Sequence, residues 1–418
     1  MGLIGLMGRT GATGATGPGL SILGDGIGSI LLNNPPGSNN VYYNDVLAVS
    51  LDETGANQIN ISGSGYYISQ SRNYCIYQPG KSLLFMASGV LYPGQNDYTT
   101  RIGYFDNDTT TIPLGPTLIV RNGLYFEHDN GLYYLCIKND TVTRFVQDDW
   151  NIDKMDGTGP SGLDLDFSKT QLFVIDMEWL GVGRIRFGFY GYGKIQYCHQ
   201  VTNINTLTQP YTNSINLPIC YTIHGDSGNP CSGFTQICST VISEGGYNPL
   251  GRPFTISTGS SAISIAANVE EPILFLRGNI NINNPNYYHQ NIIPTSLSMI
   301  CSATNDLILY KLVLFLAGTY TGTQISWSNV NSNYSVSQYS GNLSSGYSST
   351  NGILLDQGYF YGRGTNTYSV LTDVFSNLIL QVTSNIVNES DILVLTATFV
   401  SGSGSTNVFG TLSWQELY

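Results

Sequence analysis

Two carboxylates stand two residues apart in the run Val174-Ile175-Asp176-Met177-Glu178-Trp179-Leu180. In a strand, side chains alternate between faces, so Asp176 and Glu178 share one face with Val174 and Leu180. Phe173, Ile175, Met177 and Trp179 share the other and are expected in a core. Paired carboxylates are the material of general acid–base chemistry. They are equally the material of cross-strand ion pairs. Gly181-Val182-Gly183 reads as a hairpin connection onto 184–190. If it is symmetric, Glu178 lies opposite Arg186 and Leu180 opposite Arg184, which accounts for Glu178 and Arg186 without a ligand. Asp176, Glu178 and Arg186 are the candidate site residues.

Other constellations carry less. His224-Gly225-Asp226-Ser227-Gly228 contains the Gly-Asp-Ser-Gly that resembles the nucleophile segment of trypsin-like serine proteases. A triad also needs a histidine base and an orienting carboxylate. None of His128, His199, His224 and His289 has that family's flanking sequence, so the segment is expected to be a polar loop with a tight turn. Asp148, Asp149, Asp153, Asp156, Asp164 and Asp166 crowd a Gly-rich stretch. Their spacing is not that of an EF-hand, and they read as a solvated acidic loop. No metal and no cofactor is expected. The seven cysteines include no Cys-x-x-Cys and are expected to be mostly buried thiols, with Cys231 and Cys238 near enough in sequence to pair.

The elements that must position these residues are strands. The pattern has a period of two, not 3.6. Aromatic runs at 124–128 and 132–137 flank Asn130-Gly131, the strongest short hairpin signal. Residues 184–190 and 194–198 flank Gly191-Tyr192-Gly193 as a further hairpin. The texture shifts near 243–260, where a domain boundary is expected. The fold class is therefore all-β: two β-sandwich or jelly-roll domains, at 41–253 and 254–418, after a linker at 20–40.

Residues 1–19 are different. Gly2, Gly5, Gly8, Gly11, Gly14 and Gly17 recur at every third position. Only glycine fits the axis where three polyproline-like chains meet, so the repeat reads as a collagen-like stem and the protein as a homotrimer. Charged residues make up only 11% of the 418, while Tyr (29) and Gly (48) are abundant. That balance fits an all-β secreted, fibre or virion protein and not a helical cytosolic enzyme. The net charge of −12 argues against a nucleic-acid partner, whose phosphates need clustered cations. The longest apolar stretch, 307–317, falls well short of a membrane span and contains Lys311.

Two resemblances add to this. Residues 174–181 resemble the Glu-Ile-Asp-Ile-Glu-Phe-Leu-Gly motif of laminarinase- and lichenase-type glycoside hydrolases, which are concanavalin-like jelly rolls. The resemblance implies a sandwich, an acid/base at Glu178 and a supporting carboxylate at Asp176. The nucleophile position holds Val174, so it implies glycan binding at Asp176, Glu178 and Arg186 rather than catalysis, and no enzyme. More broadly, 149–166, 178–186, 241–247 and 410–416 resemble virion structural proteins of large DNA viruses and marine tailed phages. That implies a capsid-associated, fibre or tail role in a virion, with other virion proteins as partners; buried thiols fit assembly in host cytoplasm, and a fibre that attaches to its host would have a host-surface glycan as a further partner.

Overall fold

The computed structural model describes residues 22–23, 47–51, 57–61, 65–71, 74–75, 77–78, 80–108, 119–139, 141–178, 180–225, 233–243, 251–279, 291–303, 305–316, 319–341, 346–362, 380–381, 390–400 and 402–417. The collagen-like glycines, Trp179, Ser227, Cys231 and His289 lie outside the described residues. The protein is all-β. Among the described residues the only helical element is a 3-10 turn at Gln147–Asp149.

The chain divides into two compact units, Met1–Asn248 and Pro249–Tyr418. The first carries β1 (Ile22–Leu23), β2 (Leu47–Leu51), β3 (Asn57–Ile61), β4 (Gly65–Gln70), β5 (Ser82–Val90), β6 (Tyr98–Asp108) and β7 (Ile119–Asp129). It continues with β8 (Leu132–Lys138), β9 (Val142–Val146), β10 (Gln171–Glu178), β11 (Ile185–Gly191), β12 (Lys194–Val201), β13 (Ile219–Gly225) and β14 (Thr235–Ser243). One sheet runs β12-β11-β10-β5-β14-β3-β2, with β1 also on β14; the other runs β4-β13-β6-β7-β8-β9. Ile22–Leu23 pairs with Ile242 and Val241, so the stretch read as linker includes a short strand.

Alternation explains the layers. In β5, Leu83, Phe85 and Ala87 point inward while Leu84, Met86 and Ser88 point out. Phe126 of the second sheet meets Phe173, Phe187 and Phe189 of the first at ring-centroid distances of 5.0, 5.6 and 5.3 Å. Such aromatic pairs add about 0.5–1.5 kcal/mol each beyond burial. The β7–β8 hairpin turns on Asn130-Gly131 (φ 50° and 78°), a two-residue connection with both residues left-handed, as the sequence led one to expect.

The second unit carries β15 (Arg252–Ser257), β16 (Ile263–Ala266), β17 (Glu270–Gly278), β18 (Asn291–Cys301), β19 (Leu307–Phe315) and β20 (Ser328–Asn329). It ends with β21 (Ser337–Ser340), β22 (Ile353–Tyr361), β23 (Leu380–Gln381), β24 (Ile392–Phe399) and β25 (Ser405–Leu417). Its sheets run β15-β25-β18-β23, with β16 also on β25, and β20-β21-β17-β24-β19-β22. Trp414, Leu274, Leu276, Leu312 and Leu395 pack in the core between them. The expected 253/254 boundary falls inside β15, where Pro253 pairs with Gln415. A proline is tolerated there because β15 is an edge strand.

Candidate functional site

β10 buries Phe173, Ile175 and Met177 in the core, as its period predicts. Val174 and Asp176 lie on the outer face, yet Val174 is fully buried and Asp176 is only 7% exposed. The register corrects one expectation. Asp176, not Glu178, stands opposite Arg186. The turn is centred on Leu180 and Gly181 (φ 45° and 79°), and the Glu178 N–H donates to the Arg184 carbonyl at 2.9 Å. The connection closes one residue earlier than a Gly181-Val182-Gly183 loop allows. Pairing therefore slips by two, which leaves every side chain on its expected face. Glu178 pairs with Arg184 at the exposed strand end.

Asp176 is the centre of a denser cluster. The same carboxylate oxygen, Oδ2, accepts from Arg186 Nη2 and from the Tyr197 hydroxyl, the latter at 3.0 Å. The Arg186 guanidinium lies 4.1 Å from the centre of the Tyr197 ring. Burial, with Asp176 beside it, pushes the Tyr197 hydroxyl up to about 12, so it stays a donor. A bulge on the β11–β12 pair makes this possible. Gly188 faces Tyr197, and Arg186 faces Gln200, which puts two residues three apart on one face. A Cβ at Gly188 would lie 2.6 Å from the Gln196 carbonyl and 3.0 Å from Tyr197 Cα, so only glycine admits this approach.

Arg186 and Tyr197 of this cluster border a groove of about 580 Å³, lined also by Asp153, Tyr192, Lys194 and Gln200 among others. Asp153, one of the lining residues, is buried. Its two oxygens accept the Met155 and Ser161 N–H groups at 2.8 and 2.7 Å. The acidic loop is thus tied up in its own turns. Asp156 accepts from Thr158, which holds its carboxyl below the usual range. Asp166 accepts from Ser168 and pairs with Lys169, and the Ser168 hydroxyl leads in holding it down to about 2. Among the described residues no group of three or more His, Cys, Asp or Glu side chains is placed to hold a metal.

The histidines are not gathered at this groove. Burial lowers His128, His199 and His224, the last to about 3. His199 Nδ1 accepts the Asn151 N–H at 3.1 Å and must be neutral to do so. Cys75, Cys136, Cys198, Cys220 and Cys301 are buried, and Cys238 is exposed. On the outer face of the second sheet, Glu127 is fully buried between Arg101 and Arg144 at 2.7 and 2.8 Å. Both of its oxygens are occupied by cations, which reads as a register clamp. Among the described residues no helix is long and apolar enough to cross a membrane.

Of the three residues that the sequence singles out, the structure brings Asp176 and Arg186 together and places Glu178 with Arg184. Tyr192, Lys194, Tyr197 and Gln200 line the groove without being singled out by the sequence, where the available signal is a tyrosine inside a Gly-x-Gly turn.

The two positions of the outer-face cluster differ sharply in expected cost. Asp176→Ala leaves the half-buried guanidinium and the Tyr197 hydroxyl without their shared acceptor and should cost about 2–4 kcal/mol. Glu178→Ala removes an exposed pair and should cost about 1 kcal/mol or less. Urea titrations of both variants check the order, and a larger loss for Glu178→Ala contradicts the register.

Fold and groove together define an all-β protein with a polar and aromatic groove at one sheet edge. No protein-family model and no curated protein matches the chain. Among solved structures it is similar to a legume lectin-like domain from Entamoeba histolytica, at 11% identity over 47% of this chain and 85% of that one, with a TM-score of 0.26. It is similar to a Bacillus licheniformis β-glucanase at 11% identity over 50% and 94%, with a TM-score of 0.28. It is also similar to a CBM2 module of the evolved Dit of Lactobacillus casei BL23 phage J-1, at 8% identity over 54% and 86%, with a TM-score of 0.26. The sandwich assignment rests on the strand pairing itself.

Proposed function

We propose that the chain is a non-catalytic structural protein of a virion, assembled as a homotrimer, whose first sandwich binds a host-surface glycan in the groove beside Arg186. The groove carries the reading. Planar polar side chains and an exposed aromatic ring converge on about 580 Å³ of open space. Sugars are held by hydrogen bonds at their hydroxyls and by aromatic rings over their C–H faces. The Gly-x-x repeat of residues 2–17 supports three chains, and the sparse charge and abundant tyrosine support a fibre-like or capsid-associated role. Val174, fully buried where a glycosidase of the resembled type needs a nucleophile, supports binding without hydrolysis.

A glycan array probed with the full chain tests this. Binding is expected, and Gln200→Trp, which fills the groove, should abolish it without lowering the melting temperature. The same preparation should scatter light as three 45.4-kDa chains and release no reducing sugar from laminarin or lichenan. An array with no binding, or binding unchanged in Gln200→Trp, contradicts the glycan reading. A stable monomer at micromolar concentration contradicts the trimer.

A further inference from the structure

Two hairpins of the first sandwich share one turn geometry and differ in one residue. Asn130-Gly131 and Tyr192-Gly193 both have two left-handed residues, at φ 50° and 78° and at φ 52° and 80°. The first of these positions suits asparagine, whose short polar side chain tolerates it. A bulky side chain there is strained, and such strain is retained where something else rewards it. Met155, also left-handed at φ 56°, is rewarded by complete burial. Tyr192 is not, because it is 72% exposed. Leu180 is left-handed and 70% exposed, but it does not line the groove, and its loop is tied down by the Tyr211 N–H on the Gly181 carbonyl at 3.0 Å. Tyr192 lines the groove.

Two residues on, Lys194 lines the same groove. The protein has only 16 Lys and Arg among 418 residues. Arg101, Arg144, Lys169, Arg184, Arg186 and Lys311 are all committed to carboxylates. Lys194 makes no ion pair among the described residues and is exposed. Asp153 makes no ion pair with it, and both Asp153 oxygens accept backbone N–H groups. Asp176 is already shared by Arg186 and Tyr197.

We propose that Tyr192 and Lys194 form a subsite for an acidic pyranose, with the C–H face of the ring stacked on Tyr192 and the sugar carboxylate on the Lys194 ammonium. The inference rests on the glycan-binding reading and names the class of sugar. A tyrosine ring at a tight turn covers a sugar face at little entropic cost, because only two side-chain torsions must be fixed. A charge-assisted hydrogen bond from an ammonium to a carboxylate then discriminates acidic from neutral sugars by about tenfold.

The probes are hexagalacturonate, hexaglucuronate and 3′-sialyllactose, each beside its carboxyl-reduced form, titrated calorimetrically into the full chain. At least one acidic probe should bind about tenfold tighter than its reduced form. Lys194→Gln should erase that preference, and Lys194→Arg should keep it. Tyr192→Asn, which suits the turn, should weaken both forms by about tenfold or more without lowering the melting temperature. Equal affinity for both forms overturns the acidic subsite while the glycan-array result stands. Affinity unchanged in Tyr192→Asn overturns the stacking role, and binding of none of the six probes overturns the proposal.

Discussion

Glu127→Ala should destabilise the first sandwich by about 3–5 kcal/mol, because it takes from the buried Arg101 the carboxylate that it pairs with. Glu127 is fully buried on β7. Its Oε2 accepts from Arg101 Nε of β6 at 2.7 Å, and its Oε1 meets Arg144 Nη2 of β9 at 2.8 Å. Arg101 is itself only 7% exposed, so it loses a partner in a place where water cannot substitute. Arg144 keeps Asp129 at 3.4 Å and its solvent-exposed side. The loss should therefore concentrate at β6 and β7. Hydrogen exchange resolved along the chain checks this, with protection in 98–108 and 119–129 falling most. The double variant Arg101→Met/Glu127→Leu should recover much of the loss, since a well-packed apolar pair can replace a buried ion pair at little cost. A loss below about 1 kcal/mol in Glu127→Ala would mean that the carboxylate is hydrated rather than clamped.

The second large effect lies near the end of β25. Glu416 is fully buried and accepts from four neutral donors. Oε1 accepts from the Ser335 and Ser337 hydroxyls at 2.6 and 2.5 Å and from Trp414 Nε1 at 3.1 Å, and Oε2 accepts the Val336 N–H at 2.9 Å. The carboxylate gathers donors from the segment leading into β21 and from its own strand. Glu416→Ala leaves four buried donors and a void and should cost about 3–5 kcal/mol. Glu416→Gln fills the space but turns an amide N–H₂ toward donors, and should cost about 1–3 kcal/mol. Denaturant titration of both variants ranks them, and equal losses would mean that packing, not hydrogen bonding, holds this end of the strand.

Sheet content was legible because period-two runs and the Asn130-Gly131 signal are local. The β10–β11 register was not. Leu180 adopts a left-handed conformation that its residue type disfavours, while Gly181-Val182-Gly183 is the sequence that a turn would ordinarily choose. Glu127 and Glu416 carried no local signal either. Arg101 is 26 residues from Glu127, and Val336 is 80 from Glu416, so only the folded sheet brings them together. Asp176, and Arg186 at the groove's edge, were visible as charges on strand faces. The bulge that brings Tyr197 and Gln200 beside them depends on one glycine, Gly188, among 48 in the chain.

The groove is the centre of this account, and a crystal structure of the chain soaked with an array-positive oligosaccharide tests it most directly. Sugar density between Tyr192 and Arg186, with a ring parallel to the Tyr192 side chain, is the predicted result. Density seated elsewhere on either unit, with the groove holding only water, would contradict it.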